Sequence, residues 1–89
     1  MKDIIKLKSR YKAEHYLKKM PKSDGSESKT YLLKTDVPNL RVGYEEGKNK
    51  FIDPPGGPMI RVGEILEEAE AIVKSIDFVT GYGWTITFE

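Results

Sequence analysis

The stretch Gly81-Tyr82-Gly83-Trp84-Thr85-Ile86-Thr87-Phe88 decides the fold of this chain. Its two glycines predict a tight turn, and the residues after them alternate strictly between large apolar side chains and threonines. The side chains of Trp84, Ile86 and Phe88 should therefore point to one face of a β-strand. An apolar strand of this kind must be paired or covered, because a free edge invites aggregation. The pattern thus predicts the second strand of a hairpin, with Trp84 in the core and self-association through this strand as one possible function.

The segment before this turn changes pattern along its length. Its acidic first part predicts a short helix over residues 64–70, and the run rich in Ile, Val and Phe that follows predicts a strand over residues 71–79. In that strand Ile72, Ile76 and Phe78 are expected to share one face. The alternative is a single helix that continues to residue 76, because the apolar side chains of this segment also recur at helical spacing.

Shorter runs upstream predict further strands. Residues 40–44 alternate in polarity and are expected to form a hairpin with residues 50–52 across a glycine-containing turn. The β-branched and aromatic content of three other runs predicts strands over residues 4–8, 30–35 and 59–62.

The first third of the chain is less clearly patterned. Apolar residues at helical spacing, with Ser9 as an N-cap and Pro21 as a stop, predict a helix over residues 10–19. The alternative is a strand over His15–Met20 that pairs with the next strand. The segment 21–29 is rich in Ser, Gly, Asp and Pro, which predicts a mobile loop.

These elements predict one small domain over residues 1–89, of the β-rich α+β class. Many short strands with Gly and Pro turns suggest a small twisted antiparallel sheet or a partly open barrel with one or two short helices. No run of 18 apolar residues occurs, and the N-terminus has no signal-peptide pattern, so we expect a soluble, cytoplasmic protein with no membrane partner.

The ionisable residues argue against an enzyme. The chain has no cysteine and a single histidine, so a zinc site is not expected, and no phosphate-binding glycine motif predicts a cofactor. His15 lies among charged residues with no nucleophile motif nearby and is expected on the surface. The acidic residues between positions 64 and 70 are expected to form a solvated face.

The charge distribution supports one of two predicted functions. Residues 1–34 carry ten Lys and Arg against four Asp and Glu, a net charge of +6, and residues 35–89 carry five against ten, a net charge of −5. A basic, aromatic segment can bind nucleic acid weakly and without sequence preference, through lysine contacts to phosphate and stacking of bases on tyrosine. The residues predicted for this alternative function are Lys6, Lys8, Arg10, Lys12, Lys18, Lys19, Tyr11 and Tyr16.

A loop rich in proline and glycine supports the other function, protein binding, which we favour over nucleic-acid binding. Stiff surface loops present side chains to a partner at a low entropic cost, so the loop predicts a non-enzymatic domain that binds a protein partner or a second copy of itself. The alternative is a purely structural loop that sets the angle between two strands. The predicted contact residues, together with exposed strand edges, are Phe51, Ile52, Asp53, Pro54, Pro55, Gly56, Gly57, Pro58 and Met59.

Overall fold

A computed structural model describes residues 2–10, 14–22, 24–25, 28–36, 41–45, 49–54 and 56–89 of the chain. Nine strands lie in this part of the chain: β1 Ile4–Lys6, β2 His15–Lys19, β3 Thr30–Thr35, β4 Arg41–Glu45, β5 Asn49–Asp53, β6 Ile60–Arg61, β7 Ile65–Leu66, β8 Ala71–Val79 and β9 Gly83–Phe88. One turn of 3₁₀-helix follows β7 at Glu67–Ala69.

The strands form two antiparallel sheets. The larger sheet has the order β1-β2-β3-β9-β8-β7, and the smaller has the order β4-β5-β6. The larger sheet curls into a half barrel, which brings the 3₁₀ turn after β7 next to β1 at the opposite edge. There the backbone N–H of Lys8 donates a hydrogen bond of 3.2 Å to the Glu68 carboxylate. The smaller sheet contributes Ile52 and Ile60 to the same core.

The prediction of an α+β domain is wrong in its helical part. The described ranges contain no α-helix, and the single 3₁₀ turn is three residues long. None of the helical structure described there is long and apolar enough to cross a membrane. The fold is therefore built almost entirely from short antiparallel strands that hide one face by curling.

The predicted helix over residues 10–19 is replaced by β2, so the alternative, a strand over His15–Met20, is correct. Residues 11–13 lie outside the described residues. Within β2, His15 and Leu17 are buried while Lys18 is exposed. Pairing with both β1 and β3 decides the outcome, because burial between two strands outweighs the weak helical spacing of so short a segment.

The predicted helix over residues 64–70 is also wrong, as is its extension to residue 76. Ile65 and Leu66 pair with Ile72 and Ala71 of β8, which buries Leu66. The acidic residues that follow form only the 3₁₀ turn, which ends at Glu70 in a left-handed conformation with φ 54°. The chain then reverses directly into β8, so no room remains for a second helical turn.

The other predicted strands are present. β3 spans the predicted residues 30–35, β4 and β5 form the predicted hairpin, and β8 pairs with β9 across residues 80–82. The strands predicted over 4–8 and 59–62 shorten to β1 and β6. In the predicted loop, residues 21–22, 24–25 and 28–29 belong to no strand, and residues 23, 26 and 27 lie outside the described residues; its mobility stays a prediction.

A β-bulge at Lys74 changes which face of β8 is buried. Val73 lies opposite Phe88 and Ser75 lies opposite Thr87, so one extra residue sits in β8. This insertion shifts the alternation by one position. Val73, 1% exposed, therefore lies in the core with Ile76, whereas Ile72, which was expected to share a face with Ile76, is 37% exposed.

The core joins both sheets. Leu17, Ile52 and Ile86 have no exposed surface, and the Tyr31 ring meets the Phe88 ring edge to face at 5.5 Å between centroids. The buried cluster consists of Ile5, Leu7, Leu17, Tyr31, Leu33, Ile52, Ile60, Leu66, Val73, Ile76, Ile86 and Phe88.

Candidate functional site

The proline- and glycine-rich loop is held against the rest of the protein. The Gly57 N–H donates to the Pro54 carbonyl at 2.9 Å, which closes a tight turn, and the Arg10 N–H donates to the Gly56 carbonyl at 2.9 Å. Ile52 and Pro54 are buried. The half-buried members of the predicted contact set are Phe51, Asp53, Gly56, Gly57, Pro58 and Met59, and Pro55 lies outside the described residues.

His15 lies beneath this loop, and its predicted surface position is wrong because only 1% of it is exposed. Its Nδ1 is 2.6 Å from the Thr35 hydroxyl. A Cβ atom at Gly57 would lie 3.2 Å from the imidazole Cδ2, so the ring fills the space that this glycine leaves. The histidine thus supports the loop from within.

Phe51 and Asp53 lie on the solvent side of the smaller sheet. The Arg41 guanidinium lies 5.3 Å from the centroid of the Phe51 ring and also forms a 3.0 Å ion pair with Asp53. Gly43 lies opposite Phe51, and a Cβ atom at Gly43 would lie 3.4 Å from the Phe51 ring. The ring is thus packed within its own sheet.

A hollow of about 470 Å³ brings together members of both predicted sets. Lys8 and Arg10 of the basic set and part of the proline- and glycine-rich loop line one side, and Glu67 and Glu68 line the other. Because charges of both signs face this hollow, and Glu68 accepts the Lys8 N–H, it presents no uniform field to a ligand.

Among the side chains that the structure describes, the most exposed aromatic ones lie at the hairpin end of β8 and β9. Phe78 is 60% exposed and Tyr82 is 65% exposed, and Val79 is also exposed. The half-buried Trp84 meets Phe78 edge to face at 5.3 Å, and the Lys50 ammonium lies 5.3 Å from the centroid of the Trp84 ring. We call Phe78, Val79, Tyr82 and Trp84 the hairpin end.

The sequence pattern predicts Trp84 in the core and Phe78 on one face with Ile72 and Ile76. Trp84 is half-buried and packs against the core, whereas Phe78 is exposed, so the surface that the two rings form was not predicted. Both lie on the same side of the hairpin as Ile76 and Ile86, which are buried. The signal that could have found this surface is distance from the turn, because Phe78 and Trp84 are the pair on that side nearest the turn.

Part of β8 pairs with only one of the described strands at the same end. β7 pairs only with Ala71 and Ile72, and backbone hydrogen bonds from Gly63 and to Glu64 extend this pairing to Val73. Among the described strands, β8 pairs from Ser75 to Val79 with β9 alone, while β5 packs nearby. By contrast, β9, the terminal strand predicted for self-association, lies between β3 and β8 and is paired on both sides from Thr85 to Thr87.

The predicted nucleic-acid residues separate into groups. Lys6 and Lys18 are exposed on the outer face of β1 and β2, together with the half-buried Tyr16. Lys19 is half-buried and its ammonium lies 3.6 Å from the Asp3 carboxylate. Lys8 and Arg10 line the hollow described above, and Tyr11 and Lys12 lie outside the described residues.

The structure adds Lys34 to the outer face of the larger sheet. Tyr16 of β2 lies opposite Lys6 of β1 on one side and opposite Lys34 of β3 on the other. Lys18 follows two residues further along β2, beside Ile4. We call Lys6, Tyr16, Lys18 and Lys34 the basic face. Lys34 could have been found from its place in the predicted strand over 30–35.

The described ranges contain no cluster of three or more His, Asp or Glu side chains that could hold a metal ion. Comparisons with protein-family models, with curated proteins and with solved structures give no match to this chain.

Proposed function

We propose that this protein is a non-enzymatic binding domain that engages a protein partner or a second copy of itself through the hairpin end. One observation carries the proposal: the most exposed aromatic side chains lie where the edge of β8 is unpaired within the described strands. The half-buried residues of the proline- and glycine-rich loop remain a second predicted contact region.

The side chains of the hairpin end suit a contact surface. Large apolar groups that stay exposed after a domain has formed its core are typical of interaction sites. Trp and Tyr contribute most often to the residues that carry binding energy at protein interfaces. Here the exposed Tyr82 stands at the turn, and the Phe78 and Trp84 rings are in contact.

The backbone of β8 offers a second means of binding. An unpaired strand edge can accept an extended segment of another chain, with main-chain hydrogen bonds supplying affinity and neighbouring side chains supplying specificity. The bulge at Lys74 and the exposed Asp77 limit such pairing to the portion near the turn, because bulges and charges are common protection for sheet edges. The hairpin end is thus the place where strand addition and apolar contact coincide.

Sedimentation of the wild type over a wide concentration range tests the form of the contact. Replacement of Phe78 and Tyr82 by serine should abolish concentration-dependent association if the partner is a second copy. If the wild type is monomeric, a partner that it retains in a pull-down should be lost with the double variant, since both exposed rings have been removed.

Ile4→Ser is the matched control, because Ile4 is exposed at 48% but lies on β1, away from the hairpin end. It should behave as the wild type does. A monomeric wild type together with an unchanged set of retained proteins in the double variant would contradict the proposal. Far-UV circular dichroism of each variant checks that the fold is intact.

A further inference from the structure

Three lysines and one tyrosine form a compact array on the outer side of the half barrel. Lys6, Tyr16 and Lys34 lie in one row across β1, β2 and β3. Neighbouring strands are about 4.8 Å apart, so the outer two backbones of the row are about 10 Å apart. Lys18 lies about 7 Å further along β2, the rise of two strand residues.

Positive charge predominates on this face. Its three lysines are exposed, and in the described part of the chain none of them pairs with a carboxylate. Glu14 and Asp36 flank the row on the side away from Lys18, where the Asp36 carboxylate accepts the Glu14 backbone N–H at 3.0 Å. Glu14 also lines a hollow with Lys6 and Tyr16. The array itself thus carries three positive charges, with two carboxylates along one border.

Tyr16 adds an aromatic surface to this charge. Its side chain is half-buried in the centre of the row, so its position is restricted while part of it remains accessible. Ile4, which lies next to Lys18 on the same face and is 48% exposed, supplies apolar surface beside this lysine. Lysines around an aromatic ring on a sheet are the combination that single-stranded nucleic acids require, because cations contact phosphates and bases stack on the ring.

We propose that the basic face binds single-stranded nucleic acid, with Lys6, Lys18 and Lys34 contacting backbone phosphates and Tyr16 stacking on one base. An unpaired base is required because the faces of paired bases are already stacked within a duplex. The lysines supply affinity without sequence choice, since phosphate contacts do not read bases. This surface is separate from the hairpin end, and the proposal does not depend on the proposed function.

Fluorescence anisotropy of a labelled oligothymidylate of about 16 nucleotides, the upper end of site sizes for small β-domains, tests the proposal. Binding should weaken with salt, with a slope of log K against log salt near −2, because each of three phosphate contacts on a single strand contributes about −0.7. Lys18→Gln and Lys34→Gln should each reduce the slope by about 0.7. Tyr16→Leu should weaken binding about fivefold or more, the lower limit for loss of one stacked base.

Lys74→Gln is the matched control, because Lys74 is an exposed lysine on β8, away from the basic face. It should leave both the affinity and the slope unchanged. The Phe78→Ser and Tyr82→Ser double variant should also bind the oligonucleotide normally, which separates this proposal from the hairpin-end proposal.

Three results would overturn the inference. The first is no anisotropy change at low salt with protein up to about 100 µM, the weak limit of non-specific binding. The second is an equal loss with Lys74→Gln, which would assign binding to overall charge. The third is equal binding of an abasic oligomer or of polyglutamate, which would make the face a general polyanion site or a site for acidic protein segments.

Discussion

Two tyrosines in this protein show how far position changes the role of one residue type. Tyr31 has no exposed surface, and its hydroxyl donates a 2.6 Å hydrogen bond to the Lys2 carbonyl. Tyr82 is 65% exposed at the turn before β9. Tyr31→Phe should therefore lower the free energy of unfolding by about 1 kcal/mol, the usual net value of a buried hydrogen bond. Urea denaturation measures this change.

Tyr82→Phe makes the same chemical change at an exposed position and should alter the free energy of unfolding by less than about 0.5 kcal/mol. If the two variants were equally stable, the Tyr31 hydroxyl would contribute nothing to the fold.

The burial of His15 also depends on the position of a single residue, and the sequence analysis did not predict it. Its charged sequence neighbours indicate a surface position, but strand alternation with Leu17 places it inside. The space that it fills is left by Gly57, which is 42 positions away in the sequence. A contact so distant in sequence leaves no local pattern from which the burial of the histidine could be predicted.

At the level of elements, the bulge in β8 makes a testable distinction between adjacent residues. Val73→Ala should cost about 2 kcal/mol of stability, since it removes buried methyl groups and leaves a small cavity. Ile72→Ala removes more atoms but should cost less than about 1 kcal/mol, within the range of strand propensity, because Ile72 is partly exposed. Thermal or urea unfolding of both variants compares them directly.

The reverse order of costs would mean that β8 alternates without a bulge, as the sequence analysis expected. A control for the substitution itself is Val79→Ala, near the turn and exposed, which should have little effect.

Strands with strong alternation or clear turn residues, such as β3, β9 and the β4–β5 hairpin, could be predicted from the sequence. Both helix predictions were wrong, because each segment is too short to distinguish the 3.6-residue period of a helix from the two-residue period of a strand. Apolar spacing around Leu17 fits a helix and a strand about equally well over five residues. Pairing partners settled the outcome for β2 and for β7, and partners are not visible in a local sequence window.

For the whole molecule, the two sheets share one core, and Ile52 of β5 is among its fully buried members. Ile52→Ala should cost about 2–5 kcal/mol, the range for truncation of a core isoleucine. The loss should shift unfolding of both sheets together. Fluorescence of Trp84, the single tryptophan, and far-UV circular dichroism should therefore give coincident urea transitions in this variant as in the wild type.

Separate midpoints for the two probes would mean that the smaller sheet unfolds on its own, and the predicted single domain would then be two units. Arg41→Ala is a suitable control within the smaller sheet, because Arg41 is exposed and its ion pair with Asp53 lies at the surface. It should change the stability by less than about 1 kcal/mol.

The candidate surfaces were only partly predictable. The basic set contained Lys6, Tyr16 and Lys18 from the start, but their assembly with Lys34 depends on the register of three strands. The hairpin end was not predicted as a surface, because alternation shows which side chains share a face and does not show where that face ends. Both candidate surfaces thus depend on arrangements that only the folded chain creates.

The place of β9 between β3 and β8 has a consequence for how the protein is made. Because residues 83–88 join the amino-terminal strands to β8, a nascent chain that has emerged only as far as residue 82 carries two unconnected fragments of the larger sheet. Until β9 emerges from the ribosome, the edges of β3 and β8 that pair with it therefore have no partner. Folding should consequently occur late and in one step, and ribosome-stalled chains that stop short of this segment should remain sensitive to protease.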